Sequence, residues 1–176
     1  MVTRTKTVYN IKNFPDIKSR LFAWSAQFSP VAWLDSNDYP HHHNAYDAIL
    51  AVGMHHQAQW LNSYKALQNA VGDDWLFGFF SYEFSNAWEQ IVPINPAYIS
   101  VPKLQFFNPE KIWLLQGDTL TALYSSDANA VGDFAQLVST PPLDFTESKA
   151  IDLKPRISKS DYLQHAIALQ QHILRG

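Results

Sequence analysis

Apolar and alternating stretches predict a series of short β-strands between amphipathic helices. Each predicted strand is apolar or alternating and is bounded by proline, glycine or clustered polar residues. Gly117-Asp118 separates two of them, 111–115 and 119–124, and favours the tight turn of a β-hairpin. The other predicted strands are 6–11, 31–34 and 48–52, and a strand-like stretch follows at 150–153.

The most apolar segment is the aromatic run 75–82, with the sequence WLFGFFSY. A continuous apolar run of this length is typical of a central strand that is covered on both faces. Gly78 interrupts the run, and a glycine inside a strand permits close approach of another backbone or of a ligand. The segment therefore predicts a central strand with a close contact at Gly78.

Apolar residues at three- and four-residue spacing predict the helices. The first is predicted to start at Asn13 as N-cap, with Pro15 in its first turn, and to end near Ser29-Pro30. The others are predicted at 62–71 with Gly72 as C-cap, at 130–138 entered through Asp127 or Asn129, and after a capping box at Ser158–Asp161.

The last helix has two adjacent apolar stripes, which require a partner surface. Two interpretations are open. Either the chain is cut at a domain boundary near Gly176, or the helix docks on the domain that precedes it. The stripes are 162/166/169/173 and 163/167/174.

Composition restricts the function classes. The chain has 176 residues, a formal net charge of −3, 16% charged residues and 14% aromatic residues. Without a basic patch, nucleic-acid binding is not expected. The absence of cysteine excludes disulfides and thiolate chemistry and is compatible with the cytoplasm. No apolar run of about 18 residues predicts a membrane span, and the N-terminus does not read as a signal peptide.

The histidines are the first candidates for chemistry. His41, His42 and His43 stand in one loop, and His55 and His56 follow the next strand. Imidazole is a common metal ligand, but adjacent loop histidines point in different directions, so solvated side chains are the favoured interpretation. Neither a phosphate-binding glycine loop nor a nucleophile elbow is present. Catalysis within these residues is therefore not expected.

A small pocket is predicted around Leu34, Asp35 and Ser36 and the loop that follows them. There a strand end exposes backbone groups and a hydroxyl beside aromatic residues. The alternative is a simple strand-to-loop turn in which Ser36 acts as a cap.

Several segments follow one another in a specific order: 31–36 (VAWLDS), 46–47 (YD), 75–83, 106–109 (FFNP), the hairpin 112–123 and 157–162 (ISKSDY), with Ile173 and Gly176. This order resembles the anthranilate synthase component I family of chorismate-binding enzymes, which includes component I of aminodeoxychorismate synthase. In that family one aromatic strand has the pattern W-x-G-Y-x-S-Y-D; Gly78, Ser81 and Tyr82 match it, and Glu83 replaces the aspartate.

The resemblance implies an α+β protein, namely the N-terminal part of a four-layer α/β/β/α fold with mostly antiparallel sheet and packed helices. It implies an N-terminal domain at 1–140, a linker at 141–149 and the start of the chorismate-binding domain at 150–176. The Mg²⁺ ligands, the chorismate contacts and the catalytic groups would then follow this chain, which would hold no catalytic residue and be inactive alone.

For function, the resemblance implies an enzyme of the transferase or lyase class. With a glutamine amidotransferase, component II, that supplies ammonia, it would aminate chorismate to 4-amino-4-deoxychorismate for p-aminobenzoate and folate synthesis. The alternatives are anthranilate synthase component I, in tryptophan synthesis, and a non-catalytic amino-acid-binding module.

Many members of the family bind tryptophan in this domain. By resemblance, Leu34 and Ser36 map onto the tryptophan pocket, Tyr46 lines it, and His43 stands where the family often has another ring. Asp35 replaces the glutamate that feedback-inhibited members prefer. This difference favours the aminodeoxychorismate branch, where bound tryptophan is structural. Two alternatives are open for Asp35: it lies near the ligand's ammonium group, where an acid would help binding, or it faces solvent.

Overall fold

A computed structural model describes residues 3–37, 39, 46–54, 59–72, 74–85, 99–125, 129–143 and 153–175. The chain divides into two compact units, Met1–Leu143 and Asp144–Gly176. The division falls inside the predicted linker, whereas the assignment of the second unit to a catalytic domain stays a prediction.

The first unit is built on a five-stranded antiparallel sheet. The α+β class with mostly antiparallel sheet is thereby confirmed, and so is the hairpin at Gly117-Asp118. In spatial order the strands are β1 (Arg4–Asn10), β7 (Thr119–Ser125), β6 (Pro109–Gln116), β3 (Ala48–Met54) and β2 (Val31–Asp35).

One face of this sheet is covered by helices α1 (Ile17–Ser25) and α3 (Ala130–Ser139). Alternate strand residues, among them Leu50 and Trp113, form the larger core cluster with Trp24 of α1. The Trp24 indole N–H donates to Gln136 Oε1 of α3 at 3.0 Å. The two helices are thus joined to each other as well as to the sheet.

The opposite face of the sheet contacts a second, two-stranded sheet of β4 (Phe77–Phe80) and β5 (Leu104–Phe107). Phe77 and Phe107 pack against Ala51, Ile112 and Leu114 of the large sheet. Among the described residues, then, three layers follow one another: helices, large sheet and small sheet.

The prediction of a central strand at 75–82 is wrong. Only Phe77–Phe80 is a strand; it belongs to the small sheet, and three of its four residues are exposed. The aromatic residues of the run pack outside a central strand: Phe77 is buried, and Phe80 contacts the rings of Phe84 and Phe106. The close approach at Gly78 is confirmed, since a Cβ there would clash with the Gln105 carbonyl oxygen.

A buried cluster around Arg4 connects β1 to the segment that leads into β4. Arg4 Nε and Nη2 each donate to an oxygen of Asp74 at 2.7 Å, and both side chains are only 7% exposed. Nη2 also donates to the Pro109 carbonyl, and Asn108 Nδ2 donates to Asp74 at 2.9 Å. No sequence motif indicated this cluster.

Several helix limits differ from prediction. Helix α1 begins two residues after Pro15, because Asp16 has a left-handed backbone with φ 61° and ends the preceding turn. It stops at Ser25, before the predicted end near Ser29-Pro30. Helix α2 (Tyr64–Ala70) starts two residues later than predicted, where the Ser63 hydroxyl caps the Ala66 N–H.

The N-caps of α3 and of α4 (Lys159–Arg175) agree with prediction. Asn129 caps α3 by accepting from the Gly132 N–H. Gly72, the predicted C-cap of α2, has φ 95° but lies one residue beyond the C-cap, which is Val71. In helix α4 the Asp161 N–H donates to Ser158 Oγ, as a capping box requires.

Helix α4 is the helix of the second unit, and every residue of it is exposed. Both interpretations of its apolar stripes therefore stay open. Leu153 is not in a strand. The rest of the strand-like stretch predicted at 150–153 lies outside the described residues, as do His41–His43, His55, His56 and Asp127.

Candidate functional site

The candidate site lies where strand β2 ends, at one edge of the large sheet. Ladder pairing continues one residue past the strand, because the Ser36 N–H donates to the Asp47 carbonyl at 3.0 Å. The Tyr39 N–H then donates to the Ser36 carbonyl at 3.0 Å, and Asn37 has φ 50°. Ser36 is therefore the first residue of a tight turn.

The pleat of β2 places neighbouring candidates on opposite faces of the sheet. Leu34 lies opposite Ile49, on the face that contacts the small sheet, and its side chain is 53% exposed. Ser36 follows the same alternation as Leu34. Trp33 and Asp35 lie on the other face, where Trp33 contacts Phe22 of α1. The structure thus brings Leu34 and Ser36 together and separates Asp35 from them.

The Asp35 carboxylate accepts hydrogen bonds from two residues of its own domain. It accepts from Lys18 Nζ of α1 at 2.9 Å and from the Asn37 N–H at 2.8 Å. Burial alone would raise the pKa of Asp35, but the hydrogen bonds from Lys18 and Asn37 and the charge of Lys18 outweigh it, and the pKa is lowered. Asp35 is therefore an ionised group paired toward α1.

Tyr46 precedes the pairing partner of Ser36 and is 37% exposed. Among the described residues no hydrogen bond or ring contact joins it to Leu34 or Ser36. Its neighbour Asp47 accepts the Gly117 N–H at 2.6 Å and donates its own N–H to the Leu115 carbonyl. Asp47 thus fixes the entrance to β3 against the hairpin turn. His43 lies outside the described residues.

A cleft of about 190 Å³ lies at the other end of β2. Its walls come from both sheets and from Trp60, and none of the predicted pocket residues belongs to it. The sequence shows its aromatic residues but not that they meet, because their segments are far apart in the chain. The lining residues are Pro30, Val31, Ala32, Trp60, Gly78, Phe79, Gln105 and Phe107.

The ion pair between Lys18 and Asp35 was not predicted from the sequence. The sequence shows only a cation on a predicted helix and an acid further along the chain, and that pattern is too common to identify one ion pair. Helix α1 packs on the sheet face that carries Asp35, which is why these two residues meet.

The described part of the chain contains no group of three or more His, Asp or Glu side chains that could hold a metal ion. The resemblance places the Mg²⁺ ligands in a domain that would follow this chain, so that assignment stays a prediction. Within the same residues no helix is both long and apolar enough to cross a membrane.

In comparisons with known proteins, no family model, curated protein or solved structure matches the chain. The family resemblance therefore rests on the order of its motifs.

Proposed function

We propose that this chain is the N-terminal domain of a chorismate-utilising enzyme and that its site at Leu34 and Ser36 binds tryptophan. The particular enzyme we propose is component I of aminodeoxychorismate synthase, working with a glutamine amidotransferase. The observation that carries the proposal is the end of β2. There Leu34 is half exposed, and the Ser36 hydroxyl makes no hydrogen bond among the described residues.

The chemistry of this strand end suits an indole amino acid. Leu34 offers an apolar contact for a ring, and ring burial is favourable at about 25 cal/mol per Å² of apolar surface. The polar end of the ligand needs hydrogen-bond partners, because an unpaired polar group is costly to bury. Ser36 supplies a hydroxyl beside the ring position, and the adjacent turn presents backbone groups.

Leu34→Asp is expected to weaken L-tryptophan binding at least tenfold, because it sets a carboxylate against the ring and near the ligand carboxylate. Calorimetric titration of the protein measures this affinity directly. The matched control is Val31→Asp, a similarly exposed apolar residue on the other face of the same strand. Absence of tryptophan binding to the wild type, or equal weakening by both substitutions, contradicts the pocket.

Product analysis tests the enzyme. A protein that carries this chain together with its catalytic part is expected, with the amidotransferase, glutamine, Mg²⁺ and chorismate, to yield 4-amino-4-deoxychorismate without pyruvate. The 176 residues alone are expected to leave chorismate unchanged. Anthranilate with pyruvate would establish the sister enzyme. Tryptophan binding without any chorismate turnover would favour the non-catalytic amino-acid-binding module.

A further inference from the structure

The segment that carries Ser36 is held by contacts on the α1 side of the sheet. Asp35 Oδ1 accepts both Lys18 Nζ and the Asn37 N–H, so a single carboxylate oxygen joins α1 to the turn. The Lys18 and Asp35 side chains are 32% and 21% exposed, respectively, which leaves the pair partly shielded from water. The left-handed backbone of Asn37 is a conformation that a local side-chain acceptor helps to hold.

The same contacts remove Asp35 from the ligand's side of the sheet. A residue that lines a pocket with Leu34 and Ser36 has to project from their face, and strand alternation puts Asp35 on the opposite one. Turning its carboxylate toward a ligand would break the Lys18 pair and release the Asn37 N–H. An acid at this position therefore has a structural use that does not involve a ligand.

We propose that Asp35, held by Lys18, is a positioning residue that fixes the Ser36 turn, and that it does not accept the ammonium group of the ligand. The proposal rests on the tryptophan site proposed above. In the sequence, Leu34-Asp35-Ser36 resembles one contiguous binding motif. The proposal assigns ligand binding to Leu34 and Ser36 and only positioning to Asp35. Recognition of the ring by Leu34 is then independent of the charge at position 35.

The test compares L-tryptophan with indole-3-propionate, which keeps the indole and the carboxylate but lacks the amine. Asp35→Asn and Lys18→Met are each expected to weaken both ligands by the same factor, leaving the ratio of the two affinities within about twofold of the wild type. Lys18→Arg, in contrast to Lys18→Met, is expected to retain wild-type affinity for both ligands, because it keeps a cation at Asp35. Lys12→Met, an exposed lysine before α1, is the matched control.

A direct contact with the ammonium predicts another pattern. Asp35→Asn would then weaken tryptophan about tenfold or more and leave indole-3-propionate unchanged or bound more tightly, because repulsion between two carboxylates is removed. That result overturns the proposal.

Amide hydrogen exchange at Asn37 provides a readout without ligand. Asp35→Ala is expected to accelerate it about tenfold, and Asp35→Asn, which keeps an acceptor oxygen, less. If the wild type binds neither ligand, the proposed tryptophan site fails, and positioning is judged by Asn37 alone. Unchanged exchange in Asp35→Ala overturns positioning.

Discussion

Arg4→Met is expected to lower the free energy of unfolding by about 3–5 kcal/mol, the usual cost of removing one partner of a buried ion pair. Asp74 would stay buried and keep only Asn108 as its side-chain donor. Because Arg4 also donates to the Pro109 carbonyl, the substitution leaves a backbone acceptor without that partner as well. Urea denaturation of both proteins at neutral pH measures the difference.

The double variant Arg4→Met/Asp74→Leu is the control for this pair. It removes both charges, so its destabilisation is expected to be clearly smaller than the sum of the two single substitutions. Lys6→Met is the matched surface control, because it removes an exposed cation from the same strand, and it is expected to change stability by about 0.5 kcal/mol or less. Strict additivity in the double variant would contradict a coupled pair.

The same pair gives stability a dependence on pH. Burial would raise the pKa of Asp74, but hydrogen bonds from Arg4 and Asn108 lower it below the usual 3.8. A carboxylate with a lowered folded-state pKa contributes its full stabilisation above the unfolded value and loses it as the pH falls through the folded value. The free energy of unfolding is therefore expected to fall below about pH 4, and to fall less in Asp74→Asn.

Trp113→Ala is expected to cost about 3–5 kcal/mol of folding free energy, because it opens a large cavity in the main core. The Trp113 side chain is 0% exposed and its ring contacts those of Tyr9, Trp24 and Tyr124. Thermal and urea unfolding, followed by far-UV circular dichroism, measure the loss.

Trp60→Ala is the matched control for Trp113, because it deletes the same side chain at a position that is 42% exposed. It is expected to cost about 1 kcal/mol, since much of the ring already contacts water. Equal losses from the two substitutions would contradict the assignment of Trp113 to the main core.

Local features of the fold could be predicted from sequence because their causes are local. Gly117-Asp118 between two apolar stretches specifies a hairpin wherever the hairpin packs, and Asn129 caps α3 through the third residue after it. The limits of α1 were less predictable, because Asp16 adopts a left-handed backbone that its residue type permits but does not require.

At the candidate site, too, local features could be predicted from the sequence and long-range contacts could not. The end of β2 could be located from the polar residues that follow Leu34, and alternation implies that neighbouring residues face opposite ways. The partner that makes Asp35 structural could not be found in this manner, since Lys18 lies 17 positions away on a helix. The family resemblance treats positions 34 to 36 as a unit, whereas the pleat of the strand divides them.

By itself, the sequence determined most strand positions, the hairpin and the N-caps of α3 and α4, because these follow from side-chain periodicity and short-range hydrogen bonding. Only the tertiary structure decided the order of the strands, the place of Phe77–Phe80 in a separate small sheet, and the meeting of Arg4 with Asp74. These depend on which distant segments bury each other's apolar faces, and many pairings share the same local pattern.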